Sequence, residues 1–112
     1  MKTAFSFRHV GDVGLAIFGE RRIDTATAVD LAFDLAAGKD AKPKILLDFG
    51  QVKAVESVAV RQMEARTRRV AEVGGEVRMI NISRIENPQT MTQLALICPL
   101  NQTEVEAIRS FR

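Results

Sequence analysis

Lys44-Ile-Leu-Leu-Asp-Phe49, and after it Glu56-Ser-Val-Ala-Val-Arg61, decide how this chain folds. The first run follows Pro43, is short, and is almost unbroken in apolar character before Gly50 ends it. A run of that length without alternation fits a strand covered on both faces, as in the interior of a parallel sheet. The second run opens a helix. Val60, Met63, Thr67 and Val70 form one inward stripe at helical spacing, and Gly74-Gly75 stops it. Val52, Ala54 and Val55 read as a linker between the two. A buried strand feeding a helix is half of a β–α–β crossover, which parallel neighbours require.

The flanks extend this pattern. Residues 4–10 alternate weakly and read as an edge strand, Gly11-Asp12 as a turn, and residues 13–18 as a second strand closing a hairpin. Asp24 is placed as the N-cap of a first helix, with Thr25, Ala28, Val29, Ala32, Leu35 and Ala36 facing inward and Gly38 ending it. Residues 76–82 read as a further strand. Asn87 caps a third helix, with Pro88 at its first position, that runs to about Ile97 before Pro99. Residues 104–111 fit either a short strand or a helix. The order β-β-α-β-α-β-α with a tail is that of an α/β mixed sheet whose right-handed crossovers put the helices on one side. Functional loops of such sheets lie at the C-terminal strand ends, here residues 19–24, 50–57 and 81–87.

At 112 residues the chain suits one domain, and residues 1–112 read as a single unit without repeat or linker domain. Its charged start lacks the apolar core of a secretory signal and no run is long enough to span a bilayer, so a cytoplasmic protein with no membrane insertion is expected. A net charge of +2, with no Trp and no Tyr, suits neither a duplex-binding face nor a base-stacking platform. Evenly spread charges fit a monomer.

The usual catalytic sets are missing. His9, the one histidine, sits in the first strand and reads as a partly exposed strand residue, leaving no base for a Ser-His-acid triad and no His cluster for a metal. Cys98, beside Pro99, reads as a small buried hydrophobe rather than a nucleophile. Gly74-Gly75 precedes a strand and so is no phosphate loop. Arg66, Arg68 and Arg69 lie near Glu64 and Glu72 and read as a solvated helix face. Glu20, Asp24, Asp48 and Glu56 gather at strand ends, where caps and solvated turns explain them as well as Mg²⁺ would. No enzyme activity, cofactor or metal is expected.

Ser57 stands apart. Taken alone it reads as a plain N-cap serine. The capping pattern is incomplete, because Val60 stands where Glu or Gln would complete a capping box. The functional reading is a switch: a phosphoryl group here would be stabilised by the helix N-terminus and would add charge beside Glu56 and an exposed Val58, breaking an interface.

At this point the chain, from about Phe5 to Phe111, resembles a STAS domain of the anti-sigma factor antagonist family. Four stretches carry the resemblance: Val13-Gly-Leu-Ala-Ile-Phe-Gly-Glu20 with Ile23-Asp24-Thr25-Ala26, Ile45-Leu-Leu-Asp-Phe49, residues 52–60, and Gly74-Gly-Glu-Val-Arg-Met-Ile-Asn81. Residues 52–60 lie where the family has Asp-Ser-Ser/Thr-Gly-Leu-Gly. The resemblance implies a mixed sheet of four to five strands with helices mainly on one face, and partner switching as the function. The unphosphorylated protein would bind a serine kinase that doubles as anti-sigma factor, of the histidine-kinase-like ATPase class. That kinase would modify Ser57, and a PP2C-type phosphatase would reverse the step. Asp24, Glu56, Val58 and Arg61 would contact the partner. The motif is degenerate: its Asp is Glu56, its second hydroxyl residue Val58, its first Gly Ala59, its Leu Val60 and its last Gly Arg61. That degeneracy leaves a second reading open, a non-switching STAS scaffold or accessory subunit, stressosome-like or transporter-associated.

Overall fold

The computed structural model describes residues 5–101 and 103–111. In chain order its elements are β1 (Phe5–Val10), β2 (Val13–Phe18), β3 (Arg22–Ile23), α1 (Ala26–Ala37), β4 (Lys44–Asp48), β5 (Ala54–Val55), α2 (Ser57–Glu72), β6 (Glu76–Ile80), α3 (Pro88–Ile97), β7 (Leu100–Asn101) and α4 (Glu104–Ser110), with a 3₁₀ turn at Ile82–Arg84.

The Ile45–Leu47 run is where the sheet is centred. Five strands pair in the order β1-β2-β4-β6-β7. β1 is antiparallel to β2 and forms the edge, while β4 is parallel to both neighbours, with Ile45 opposite Gly14 on one side and Val77 on the other. Both faces of β4 are buried. Ile45 and Leu47 join the main core with Val29 and Phe33 of α1, Met63 of α2 and Leu94 of α3. Leu46 joins a smaller cluster on the opposite face, with Leu15, Ile80 and Ala107 of α4. The three crossover helices therefore share one face and the short C-terminal helix covers part of the other, giving an α/β mixed sheet as expected.

Two close approaches set the geometry. At Gly14 a Cβ would lie 1.9 Å from the Ala36 carbonyl oxygen, so only glycine lets α1 settle on β2. At the end of β6, Asn81 takes a left-handed φ of 61°. This ends the strand at Ile80, two residues earlier than the hydrophobic pattern suggests, and starts the 3₁₀ turn.

Other departures have local causes. Thr25, not Asp24, caps α1, its Oγ1 accepting from Ala28 N at 3.1 Å. The buried arc of α1 is Val29, Ala32, Phe33 and Ala36; Leu35 falls outside that arc and is 45% exposed. The 52–55 linker contains β5, which pairs in parallel with β3. Of residues 104–111, Glu104–Ser110 form helix α4, Thr103 Oγ1 accepting from Glu106 N at its start, and Phe111 is extended. Arg66 is not on a solvated face: it crosses to α1, meeting Asp30 at 3.0 Å and Asp34 at 2.6 Å over the Phe33 ring. Asn87 caps α3 with Pro88 in its first turn, as read from the sequence.

Candidate functional site

The loops after β2, β4 and β6 meet at one end of the sheet. Backbone bonds tie them: Lys53 N and Ala54 N both donate to Arg21 O, Glu56 N donates to Ile23 O, and Glu86 N donates to Lys53 O. Asp48, at the end of β4, accepts from Gly50 N at 2.8 Å and from Asn81 Nδ2 at 3.0 Å, so its carboxylate joins two of the loops. Of the acidic residues at the strand ends, Asp48 is thus a loop brace. Glu56 is the partner of Arg22, whose Nη1 donates to Glu56 Oε2 at 2.6 Å. Among the described residues no group of three or more metal-binding side chains comes together.

The start of α2 differs from the plain-cap reading in one respect. The N-cap is Glu56, and it makes no side-chain capping bond, its carboxylate being turned to Arg22. Ser57 is the first helical residue. Its side chain is exposed, and among the described residues no hydrogen bond engages its hydroxyl. A cap serine would have spent that oxygen on the backbone N–H two or three residues on. Here it is free for chemistry, at the positive end of a helix.

Of the other predicted contact residues, Glu56, Val58 and Arg61 lie with it at the start of α2. Val58 is 48% exposed beside Ser57, while Ala59 and Val60 turn inward. Arg61 is exposed one helical turn on from Ser57. Asp24 follows the β3–β5 ladder directly and lines a shallow cleft with Glu20, Arg22, Thr27 and Leu31. So Glu56, Ser57, Val58 and Arg61 share the first turns of α2, and Asp24 stands at the start of α1. Arg22 was not singled out from the sequence. No spacing signals it, because the ladder that brings it to Glu56 is only two residues long.

The chemistry of the site is that of a surface. His9, on β1, stacks edge-on against Phe7 with ring centroids 4.9 Å apart and lies in the edge strand rather than in these loops. The Cys98 thiol is buried and pushed up to about 12 by that burial, which fits a packing residue.

A mixed five-stranded sheet with an antiparallel edge, three crossover helices on one face, and a helix start presented between the C-terminal strand ends is the STAS fold. An anti-sigma factor antagonist (STAS) domain protein from Planctomyces limnophilus is similar over 95% of this chain and 95% of that one, at a TM-score of 0.72 and 19% identity. An anti-sigma factor antagonist from Mycobacterium paratuberculosis is similar over 96% and 92%, at 0.72 and 20% identity. The anti-sigma factor antagonist SpoIIAA in its unphosphorylated form is similar over 95% and 96%, at 0.70 and 22% identity. No family model matches the sequence, and no curated protein matches it significantly. No described helix is long and apolar enough to cross a membrane.

Proposed function

We propose that this chain is an anti-sigma factor antagonist-like partner-switching regulator with Ser57 as its phosphoacceptor. The observation that carries this reading is the Ser57 hydroxyl: exposed, free of internal hydrogen bonds, and at the first position of α2, where the STAS resemblance puts the modified serine. SpoIIAA, which shares the fold, has been solved in a form described as unphosphorylated.

In this reading the unmodified surface around Asp24, Glu56, Val58 and Arg61 binds a serine kinase of the histidine-kinase-like ATPase class, which also serves as the anti-sigma factor. The kinase transfers the γ-phosphoryl group of ATP to Ser57 Oγ, and the hydroxyl proton leaves to a base of the kinase. The phosphate adds about −1.5 to −2 of charge next to Glu56 and to the apolar Val58. Helix N–H groups hold it in place, and like charge and desolvation then release the partner. A PP2C-type phosphatase hydrolyses the ester and returns Ser57 to its starting state. The chain itself catalyses nothing and works in the cytoplasm.

The test uses a serine kinase of the histidine-kinase-like ATPase class, with ATP, and maps the modified residue. Modification lost in Ser57→Ala, with binding kept by Ser57→Ala and abolished by Ser57→Asp, is the expected result. A stable complex indifferent to both substitutions would instead identify a non-switching scaffold, the reading that the degenerate motif favours.

A further inference from the structure

A groove opens between α2 and α3, floored by Val60 and Ile97 at the edge of the main core. Val60, Arg61 and Glu64 of α2 and Gln93, Leu96 and Ile97 of α3 line a cavity of about 240 Å³. Leu96 on its rim is 82% exposed, the most of any large hydrophobic side chain among the described residues. Helix α3 carries no charged residue from Pro88 to Ile97, so all the charge of the groove comes from α2. Glu64 is answered by Arg68 at 3.9 Å. The Arg61 side chain has no ion pair or hydrogen bond among the described residues; those of Arg21, Arg84 and Arg109 share that state, but none of them lines this groove.

An uncommitted guanidinium above an apolar floor selects its ligand. It is weakly hydrated and presents a planar fork that fits a carboxylate, and partial exclusion of water by the apolar walls strengthens that bond. A second copy of this chain is a poor occupant, because a two-fold contact would bring like grooves, and so like charges, together. We propose that the groove docks a segment of a partner protein presenting an apolar side chain beside a carboxylate, with Arg61 as the anchor, and that a phosphate on Ser57 takes Arg61 away from it.

The second half rests on the reading of Ser57 given above. Ser57 and Arg61 are four residues apart on α2 and share a face. The acid would be N-terminal to the base, the favourable order for such a pair. A phosphate forked by Arg61 removes the groove's anchoring cation and places negative charge one turn from the incoming carboxylate. One modification then closes a binding groove without altering the fold. The STAS motif has glycine where Arg61 stands, so this device belongs to the present sequence.

Phosphoserine encoded genetically at position 57 tests this without any kinase. The probes are two synthetic peptides of about 12 residues, one alternating Glu and Leu, the other with Lys for every Glu, followed by amide chemical shifts. The acidic peptide is expected to move Val60, Arg61, Gln93 and Leu96 and the basic one to leave them still. Arg61→Gln and phosphoserine 57 should each weaken the acidic peptide about tenfold or more. Arg61→Lys, which keeps the charge and loses the fork, should fall between. In a phosphorus-31 titration the phosphoserine pKa should lie about half a unit lower in the parent chain than in Arg61→Gln. Shifts elsewhere, or binding indifferent to Arg61→Gln, overturn the docking site. Docking that needs Arg61 but ignores phosphoserine 57, with equal pKa values, overturns the capture step alone. Failure of the kinase experiment leaves both results standing and strikes only the assignment of Ser57.

Discussion

Arg22 Nη1 and Glu56 Oε2 lie 2.6 Å apart, joining strand β3 to the N-cap residue of α2. The pair fixes the carboxylate next to Ser57, but both side chains are open to water, 62% and 45% exposed. Exposed pairs are weak, so a double-mutant cycle of Arg22→Ala and Glu56→Ala in urea denaturation should give a coupling of about 0.2–1 kcal/mol. The coupling should shrink in 1 M salt, where the Debye length is about 3 Å. A coupling well above 1 kcal/mol would mean that this pair, and not the β3–β5 ladder, holds the two loops together.

Arg66 predicts a pH effect. It forks between Asp30 and Asp34 on α1 and lies over Phe33. The bond from Gln62 first, then Arg66, holds the Asp30 carboxyl below its ordinary value. A carboxyl lowered by folding stabilises the native state above its unfolded pKa, and the gain disappears as pH falls through the folded value. Asp30→Asn should therefore be less stable than the parent chain at pH 7, with the gap closing below about pH 4. Arg66→Ala should cost about 1–2 kcal/mol at neutral pH, and Arg66→Lys should recover only part of it. Urea curves from pH 7 to 2.5 measure both, and a gap that widens on acidification would refute the assignment.

What could be read from the sequence follows from how far each signal reaches along the chain. The Ile45–Leu47 run, the hairpin before it and the Asn87-Pro88 helix start are local patterns, and the structure keeps them. The β3–β5 ladder, the Arg66 crossing and the Arg22–Glu56 pair join residues more than thirty positions apart, and a single sequence carries no sign of them. The site was legible to the same extent. Ser57 lay at a recognisable helix start, but its free hydroxyl depends on Glu56 taking the cap position while facing Arg22, which is a tertiary fact. Leu35 shows the opposite failure: its spacing suits a buried stripe, and a rotation of the helix about its axis leaves it outside.

Gly14 is the most restrictive position in the core. A methyl group there would collide with backbone, the Ala36 carbonyl oxygen at 1.9 Å, and no side-chain rotation can relieve it. Gly14→Ala must push α1 off the sheet or bend β2, at a cost of about 3 kcal/mol. The urea midpoint measures this. A variant as stable as the parent chain would show that α1 can withdraw freely, and the tight α1–β2 contact would lose its structural importance.

Cys98 offers a reporter for such opening. It follows the last residue of α3, and next to it Pro99 O accepts from Met79 N at 3.3 Å, so the thiol sits where α3 passes into β7. With burial holding its pKa at about 12, the thiolate at pH 8 is on the order of one part in ten thousand. A disulfide reagent should leave the folded chain unmodified for hours and take up one equivalent promptly in urea. Any slow native labelling must then pass through an opened form, and its rate follows the population of that form. Gly14→Ala, if it loosens the whole core, should speed labelling. Arg61→Gln, at an exposed position, should leave it unchanged, which also checks that its effect on peptide binding is not a loss of structure. Prompt labelling of the folded parent chain would show that the α3–β7 junction opens on its own, independently of the core.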